Sequence, residues 1–404
     1  MAGLGLPKVG RPEQLGLSSD RLERISATFR DDVGRGLIPG AVLLIARGGR
    51  IGYAEAFGWR DREKESPMGL DAIFRIASMT KPVTSVAAMI LAEEGKLQIA
   101  APVSDYLPEL RDRTVGTERG RAKHTMTVQD LLRHTSGLTY AAFGDTPVQM
   151  IWRDANLMME DQTNEELVGK LARLPLMFEP GTTWEYSMST DVLGRVVEVV
   201  SGQRLADFFA TRITGPLGMV DTAFAAVGER ASRAAEPQAD PATGIRPPMR
   251  DVSRPHRWAS GGGGLVATAA DYLRFCQMLL NGGELDGIRL LAPGTIRHMT
   301  ADHLPAGVGY GPTARERFGA LAPVPEMGYG FGLGFAVRTA GGRCPLPGSV
   351  GEYFWGGVYG TAFWVDPAEQ LIAVLMLLAP DRRLYYRHLL RPLVYGAVTG
   401  PIAG

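Results

Sequence analysis

The sequence predicts an α+β fold in which one antiparallel sheet, flanked by helices, is assembled from both ends of the chain. Strand-like apolar runs lie near both termini, and a long middle section reads as helices and loops. Strands at both ends with helices outside them are expected to pack as layers of one α/β domain, residues 1–96 and 261–404. Residues 97–260 would form an inserted, mostly helical domain, with the active site in the cleft between the two.

The N-terminal part of the sheet is predicted by a hairpin signal. The apolar runs AVLLIA (41–46) and IGYAEAFG (51–58) are separated by RGGR (47–50), and paired glycines favour a tight hairpin turn. Ser18 and Ser19 can cap a helix that precedes the hairpin. This end of the chain therefore supplies one helix and two sheet strands.

The C-terminal part mirrors this arrangement. Four successive runs have strand character and are followed by a closing helix, RRLYYRHLLRPLVYGAV; the runs are GFGLGFAVR, GEYFWGGVYG, TAFWVD and LIAVLMLL. In the middle section, Thr127, Asn164 and Ser189 are the predicted N-caps of helices.

Composition excludes several classes of function. The 404-residue chain has 43 basic and 43 acidic residues, so nothing in its charge favours nucleic acid or an anionic membrane as a partner. No apolar stretch reaches the roughly 18 residues of a membrane helix, and the N-terminus lacks a signal pattern, so we expect a cytoplasmic protein. No metal-binding spacing occurs, and we expect neither a metal nor a cofactor. The sequence gives no indication of oligomeric state.

The most informative motif is Ser78-Met79-Thr80-Lys81, at the start of a helix-like run. Residues three apart share one face of a helix, so Ser78 can act as nucleophile with Lys81 as its base. The helix start also directs unpaired N–H groups toward an oxygen that becomes anionic. A Ser-x-x-Lys match is expected about once by chance in a chain of this length, so partner motifs must support it.

Two further motifs supply candidate partners. Tyr186, in EYSMS, follows a Pro-Gly turn. Beside a lysine ammonium its phenolate is favoured and would relay protons, although a packed interface tyrosine is the better explanation of this motif taken alone. In WGGVYG (355–360), glycines in a strand mark a bulge or a close approach of a ligand to the backbone. On an edge strand that lines the cleft, the N–H of Val358 would then join the N–H of Ser78 as an oxyanion donor.

Together these motifs resemble the serine β-lactamase-like superfamily, in particular the class C β-lactamase-like esterases called family VIII carboxylesterases. Matching segments follow one another along nearly the whole chain: FRIASMTKP, LLRHTSGL, EPGTTWEYS, SGGGGLVATAADYLRF and WGGVYG. The resemblance implies a penicillin-binding-protein-like fold and assigns Ser78 as nucleophile, Lys81 as base and Tyr186 as proton-transfer partner. It also assigns the oxyanion hole to the N–H groups of Ser78 and Val358.

Two other segments receive structural interpretations. His134, in HTSGL, is expected to be a structural residue, because the Lys/Tyr pair already fills the role of base. The run Gly261–Gly264 is expected to form a tight turn beneath the cleft, since no P-loop Lys-Ser/Thr follows it.

Two departures from the β-lactamase pattern indicate the substrate class. Trp355-Gly356-Gly357 replaces the Lys-Thr-Gly of the cleft strand, and Met188 replaces the asparagine that follows the motif tyrosine. We therefore expect Trp355, Gly356, Gly357 and Met188 to form a substrate pocket for neutral, apolar esters. Because Trp355 would narrow the acyl site, activity should be highest on short chains.

The leading hypothesis is a serine carboxylesterase that hydrolyses short- to medium-chain acyl esters through a covalent acyl-enzyme on Ser78. An acyltransferase, a cephalosporin-cleaving β-lactamase and an amide or D-aminopeptide hydrolase are alternatives on the same scaffold. The absence of Gly-x-Ser-x-Gly argues against an α/β-hydrolase. The intact Ser78, Lys81 and Tyr186 set argues against a non-catalytic binding protein. The loop 140–152 and the arginines 315 and 317 are candidates for setting acyl preference.

Overall fold

A computed structural model describes residues 3–118, 120–240, 243–312 and 314–402. Its strands, in chain order, are β1 Gly40–Arg47, β2 Arg50–Asp61, β3 Ser66–Pro67, β4 Phe74–Arg75, β5 Thr114–Val115, β6 Gly120–Arg121, β7 Thr183–Trp184, β8 Val266–Ala267, β9 Glu284–Leu285, β10 Ile288–Arg289, β11 Gly309–Tyr310, β12 Tyr329–Phe331, β13 Ala336–Arg338, β14 Tyr353–Gly356, β15 Ala362–Asp366 and β16 Leu371–Leu377.

The α-helices are α1 Ser19–Gly34, α2 Thr80–Glu93, α3 Val128–Leu132, α4 Pro147–Asp154, α5 Asn164–Leu171, α6 Ser189–Ser201, α7 Leu205–Phe209, α8 Ala269–Leu280, α9 Pro293–Met299, α10 Ala314–Phe318 and α11 Arg383–Ala397. Short 3₁₀ turns connect several of them, including Ala77–Met79 immediately before α2.

One antiparallel sheet joins the two ends of the chain. Within the described ranges it has eight strands in the order β12-β13-β14-β15-β16-β1-β2-β3. The junction is the pairing of β1 with β16, in which Ala41 lies opposite Leu377 and Arg47 opposite Leu371. This pairing and the β1–β2 hairpin confirm the predicted α+β fold and the sheet built from both termini.

Helices cover both faces of this sheet. Every residue of β1 and β16 is buried, and since side chains alternate between faces, both faces must be covered. Helix α1 packs on β1, β2 and α11, and α8 packs on β1, β15 and β16. The predicted closing helix, α11, is present and packs against α1.

In the described part of the middle section, helices outnumber strands, and α6 packs on α2, α3, α5 and α7. Thr127 caps α3 as predicted, its hydroxyl accepting the N–H of Asp130 at 3.2 Å. The two other predicted caps are wrong by one residue. Thr163 rather than Asn164 caps α5, because its hydroxyl forms a reciprocal capping box with Glu166.

Helix α6 begins without a side-chain cap. Met188 occupies the N-cap position and makes no side-chain capping bond, whereas the predicted cap, Ser189, is the first helical residue. The Ser189 hydroxyl instead bonds the hydroxyls of Ser136 and Ser187, each at 2.6 Å. The start of α6 is thus held by tertiary contacts. The boundaries at residues 97 and 260 remain a prediction.

The strand that precedes the predicted oxyanion residue is shorter and more central than expected. Strand β14 ends at Gly356, and Val358 lies in the turn that follows. Strand β14 is third in the sheet rather than at its edge, because β12 and β13 extend the sheet beyond it.

A fully buried carboxylate ties the C-terminal strands to the closing helix. Glu352 accepts hydrogen bonds from Arg338 at 2.9 Å and from Arg391 at 2.6 Å. The hydroxyls of Tyr329 and Tyr395 also donate to it, at 2.8 and 3.0 Å. We call Glu352, Arg338 and Arg391 the Glu352 ion cluster. In the described part of the chain, no helix has the length and apolarity needed to cross a membrane.

Candidate active site

Ser78 lies in the 3₁₀ turn that leads into α2. Ala77 before it has φ 45°, in the left-handed region that residues other than glycine and asparagine rarely adopt. Such strain persists only where the surrounding structure enforces it, and it is common at functional sites. Ser78 is partly exposed, so its hydroxyl faces the cavities described below.

Lys81 stands one helical turn after Ser78 and is almost completely buried. Its Nζ lies 3.5 Å from the Ser78 Oγ, 3.0 Å from the Tyr140 hydroxyl and 2.7 Å from the carbonyl oxygen of Gly262. The three directions of the amine are thus all occupied. The predicted Ser78/Lys81 pair is brought together as its spacing indicates.

Asp191 is the main residue that sequence reasoning missed. It lies on the first turn of α6 and is buried, and its carboxylate accepts the Ser260 hydroxyl at 2.5 Å and the N–H of Gly262 at 3.0 Å. Burial raises the pKa of Asp191. An aspartate at a helix start is ordinary on electrostatic grounds, so the sequence carries no signal of this role.

Gly262 explains the glycine run that sequence reasoning placed beneath the cleft. A Cβ at this position would collide with the Asp191 carboxylate. The residue's carbonyl accepts from Lys81 while its N–H donates to Asp191. A single backbone residue therefore connects the first turn of α2 with the first turn of α6.

Tyr140, predicted only as the first residue of a loop that could set acyl preference, also contacts Lys81. Burial, followed by the nearby charge of Asp191, holds the pKa of Tyr140 well above its usual range. A neutral phenol that accepts from Lys81 is a poor base. Tyr140 therefore serves as a neutral hydrogen-bond partner of Lys81. We call Lys81, Tyr140, Asp191 and Gly262 the Lys81 network.

Tyr186 lies on the other side of the lysine. Its ring centre is 4.7 Å from the Lys81 Nζ, and its hydroxyl accepts a hydrogen bond from the Trp355 indole N–H at 3.2 Å. His134 packs 4.9 Å from it, centre to centre. Burial, and then the charge of Lys81, hold the pKa of His134 well below its usual value, so this histidine is a neutral packing residue.

Trp355 stands behind Tyr186. It is only 3% exposed, and it packs against the rings of Phe318 and Phe331. It lines neither of the two cavities that reach Ser78. The structure therefore puts this residue in contact with Tyr186, and the predicted narrowing of the acyl site by its ring has no support.

The glycines after Trp355 allow close packing. A Cβ at Gly356 would meet the Arg387 guanidinium, and a Cβ at Gly357 would meet the carbonyl oxygen of Ile76. Both glycines line the smaller of the two cavities. At the position of Lys-Thr-Gly in the β-lactamase pattern, this chain has Trp355-Gly356-Gly357, and the absence of a side chain at Gly356 leaves room for the Arg387 guanidinium.

Two cavities of different character meet at Ser78. The larger, of about 460 Å³, has a mostly apolar wall; its residues include Ala141, Trp152, Leu157, Met158 and Met188. The smaller, of about 40 Å³, is lined by Tyr186, Gly356, Gly357, Arg317, Phe318, Arg383 and Arg387. Both are also lined by Ser78, Phe143 and Val358. The predicted substrate residue Met188 thus faces the larger cavity, and Val358 stands between the two.

Known proteins resemble this chain along most of its length. The model of the family described as Beta-lactamase matches residues 25–384. The chain belongs to the β-lactamase family. Esterase EstB from Burkholderia gladioli is 34% identical over 375 residues, which cover 87% of this chain and 89% of EstB.

Another relative and some solved structures are also similar to this chain. A lovastatin esterase from Penicillium rubens is 29% identical, with 87% of this chain and 91% of that protein covered. The structure of EstCE1, a hydrolase with promiscuous acyltransferase activity, superposes with a TM-score of 0.79 at 28% identity, covering 94% and 98% of the two chains. Simvastatin synthase from Aspergillus terreus, at 22% identity and a TM-score of 0.74, shares the fold. The predicted resemblance to family VIII carboxylesterases is confirmed.

Proposed function

We propose that this protein is a carboxylesterase that forms a covalent acyl-enzyme on Ser78 and then hydrolyses it. The observation that carries the proposal is the Ser78 hydroxyl, 3.5 Å from the amine of a buried lysine and open to an apolar cavity of about 460 Å³. The nucleophile thus has a base within reach and room for an acyl chain.

In the acylation step, the Ser78 Oγ attacks the ester carbonyl carbon. Its proton passes to the uncharged amine of Lys81, and the carbonyl oxygen becomes an oxyanion held by the N–H groups of Ser78 and Val358. The C–O bond to the alcohol then breaks, and the alcohol leaves with a proton delivered through Tyr186. Gly262 and Tyr140 hold the amine in place while it changes charge.

In the deacylation step, water replaces the alcohol. The Lys81/Tyr186 pair takes one proton from water as its oxygen attacks the acyl carbon, and the same proton returns to the Ser78 Oγ when the acyl–serine bond breaks. A carboxylic acid is released and the resting state is restored. Acyl transfer, β-lactam cleavage and amide hydrolysis would use the same acyl-enzyme and differ in the bond attacked or the acceptor.

The acyl chain would lie in the larger cavity. Trp152, Leu157 and Met158 form its wall, so they, rather than Trp355, would set the preferred acyl length. Short- to medium-chain esters remain the expected substrates. The relatives named as esterases support an ester as the bond that is broken.

Replacement of the nucleophile tests the proposal. Ser78→Ala should lower turnover of p-nitrophenyl butyrate by at least about 10³-fold, because no acyl-enzyme can form. A fluorophosphonate probe should label the native protein at Ser78 and leave the variant unlabelled. Ser232→Ala, at an exposed serine elsewhere, is the control. Undiminished turnover in Ser78→Ala would refute the mechanism.

A further inference from the structure

We infer that the smaller cavity beside Ser78 binds an anionic group, and that the preferred esters carry a carboxylate on the alcohol that leaves. This inference rests on the proposed esterase function and names its substrate class. It replaces the expectation of a neutral substrate, which followed from the loss of the lysine in Lys-Thr-Gly. Cationic groups reach the site from other elements of the fold.

Three guanidinium groups line this cavity. Arg317 lies on α10, and Arg383 and Arg387 lie on the first two turns of α11. Arg383 donates to the carbonyl oxygen of Pro380 at 2.9 Å, and Arg387 donates to the carbonyl oxygens of Gly357 and of Thr361, the latter at 3.0 Å. These acceptors are neutral and leave both positive charges in place.

Arg387 is the most informative of the three. Its Nε is buried and, among the described residues, has no hydrogen-bond partner. Burial, and then repulsion from Arg383, lower the pKa of Arg387 to about 10. Within the part of the chain that the structure describes, neither Arg383 nor Arg387 is within 4.0 Å of a carboxylate. Gathering like charges without counterions costs free energy, which an anion would return.

Arg317 completes the cavity in a different way. Its guanidinium carbon lies 3.5 Å from the ring centre of Phe143. Burial, and then repulsion from Arg383, lower the pKa of Arg317, while the charges of Glu316 and Glu185 act in the opposite direction. Arg317 is thus partly compensated, whereas Arg383 and Arg387 face the cavity with their charges intact. The anion would bind chiefly to these two, since guanidinium groups bind carboxylates through paired N–H donors.

The size and position of the cavity indicate which part of the substrate it binds. The smaller cavity, of about 40 Å³ against about 460 Å³, has far less room for an acyl chain than the larger one. Tyr186, the proposed proton donor to the leaving alcohol, lines this cavity and not the larger one. With the acyl chain in the larger cavity, the alcohol portion points toward the arginines.

Two isosteric esters test the inference. 3-(Butyryloxy)benzoate and 3-(butyryloxy)benzamide differ in the charge on the leaving group, and each rate is divided by that of alkaline hydrolysis. We expect kcat/KM for the anion to exceed that for the amide at least tenfold. Arg383→Gln should lower this ratio about tenfold, the effect of one charge-assisted hydrogen bond, and Arg383→Lys should lower it less.

The neighbouring Arg382 provides a matched control. It is exposed and lies outside the cavity, so Arg382→Gln removes the same charge and should leave the ratio unchanged. An equal fall in both variants would show a long-range charge effect and overturn the site. A ratio of kcat/KM for anion over amide near one in the native protein would also overturn it. So would a ratio that Arg383→Gln leaves unchanged.

A binding measurement separates this inference from the proposed function. Calorimetry on Ser78→Ala should give a dissociation constant for 3-hydroxybenzoate at least tenfold below that for 3-hydroxybenzamide, with the difference lost in the double variant with Arg383→Gln. This result would support the anion site even if neither ester were hydrolysed. Equal binding would overturn the site while leaving the esterase proposal intact.

A third arm places the charge on the acyl side. The p-nitrophenyl monoester of adipic acid carries its carboxylate there, and p-nitrophenyl hexanoate is its neutral counterpart. We expect no preference for the anion in this pair. A preference here, without one in the benzoate pair, would overturn the assignment to the leaving alcohol.

Discussion

Two clusters of buried charged residues in this protein differ in whether opposite charges contact each other directly. In the Glu352 ion cluster, one carboxylate contacts two guanidinium groups directly, at 2.9 and 2.6 Å. In the Lys81 network, lysine and aspartate form no direct ion pair among the described residues, and Tyr140 and Gly262 lie beside them as neutral partners. Glu352, Lys81 and Asp191 are all buried, so the burial of the charged groups does not explain the difference.

The difference reflects what each cluster must do. Direct pairing fixes both charges, because changing the protonation of one partner strands the other in a low-dielectric interior. A lysine held by neutral groups can gain or lose its proton without breaking an ion pair. Direct pairing suits a structural link between strands and a helix, whereas a lysine with neutral partners suits proton transfer.

The substitution with the largest expected effect on stability is one that breaks the Glu352 ion cluster. Glu352→Gln leaves Arg338 and Arg391 buried without their counter-charge, which should lower the free energy of unfolding by about 3–5 kcal/mol. Denaturant unfolding measures this. Glu284→Gln, in the exposed pair with Arg289, should cost less than about 1 kcal/mol. A loss in Glu352→Gln as small as in this control would show that the buried pairing contributes little.

The second effect acts on the Lys81 network. Asp191→Asn should lower kcat/KM about 10- to 100-fold, the range for losing hydrogen bonds to a charged group. Because burial raises the pKa of Asp191, its charge is lost as the pH falls, and native activity should decline with it. The variant should lack that acidic decline in a pH–rate profile.

Asp271 is a matched control for this experiment. It also lies on the first turn of a helix, α8, and burial raises its pKa to about 6. Its carboxylate accepts the N–H of Asp221 and the hydroxyl of Thr222, and it lines neither cavity at Ser78. Asp271→Asn should alter stability and leave the pH–rate profile in place. A matching change in both variants would argue against a role for Asp191 in proton transfer.

The smallest effect concerns Trp355. Trp355→Phe removes the N–H that reaches the Tyr186 hydroxyl, and kcat should fall about fivefold, the equivalent of about 1 kcal/mol. KM for p-nitrophenyl butyrate should be unchanged, because Trp355 lines neither cavity at Ser78. Trp364→Phe is the control, since the indole N–H of Trp364 has no partner among the described residues. A changed KM or chain-length preference would instead support the predicted substrate contact.

Local signals predicted much of this molecule. The β1–β2 hairpin follows from the glycines at 48 and 49, and the Ser78/Lys81 pair follows from helical spacing. The start of α5 was missed by one residue because Thr163, next to Asn164, forms the capping box, and the start of α6 was missed because the Ser189 hydroxyl bonds Ser136 and Ser187 instead of capping the helix. The domain boundaries, the roles of the site residues and a cytoplasmic location remain predictions.

Contacts between distant segments could not be predicted. Tyr140 reaches Lys81 across 59 residues and Gly262 across 181, with no motif to indicate either contact. The arginines 383 and 387 read as ordinary charges on a helix, since only the packing of α11 beside Gly356 and Gly357 brings them to Ser78. Trp355 was predicted to face the substrate because a strand pattern does not show which face Tyr186 will cover.

The β1–β16 pairing also has a consequence for synthesis on the ribosome. Ser78 and Lys81 are synthesised well before Val358 and before β16, the strand that pairs with β1. Pairing between such distant segments is slow to form, because the intervening chain must first be ordered. The growing polypeptide therefore carries Ser78 without the proposed Val358 donor until that residue has been made and β1 has paired with β16, and ester cleavage should not begin before then.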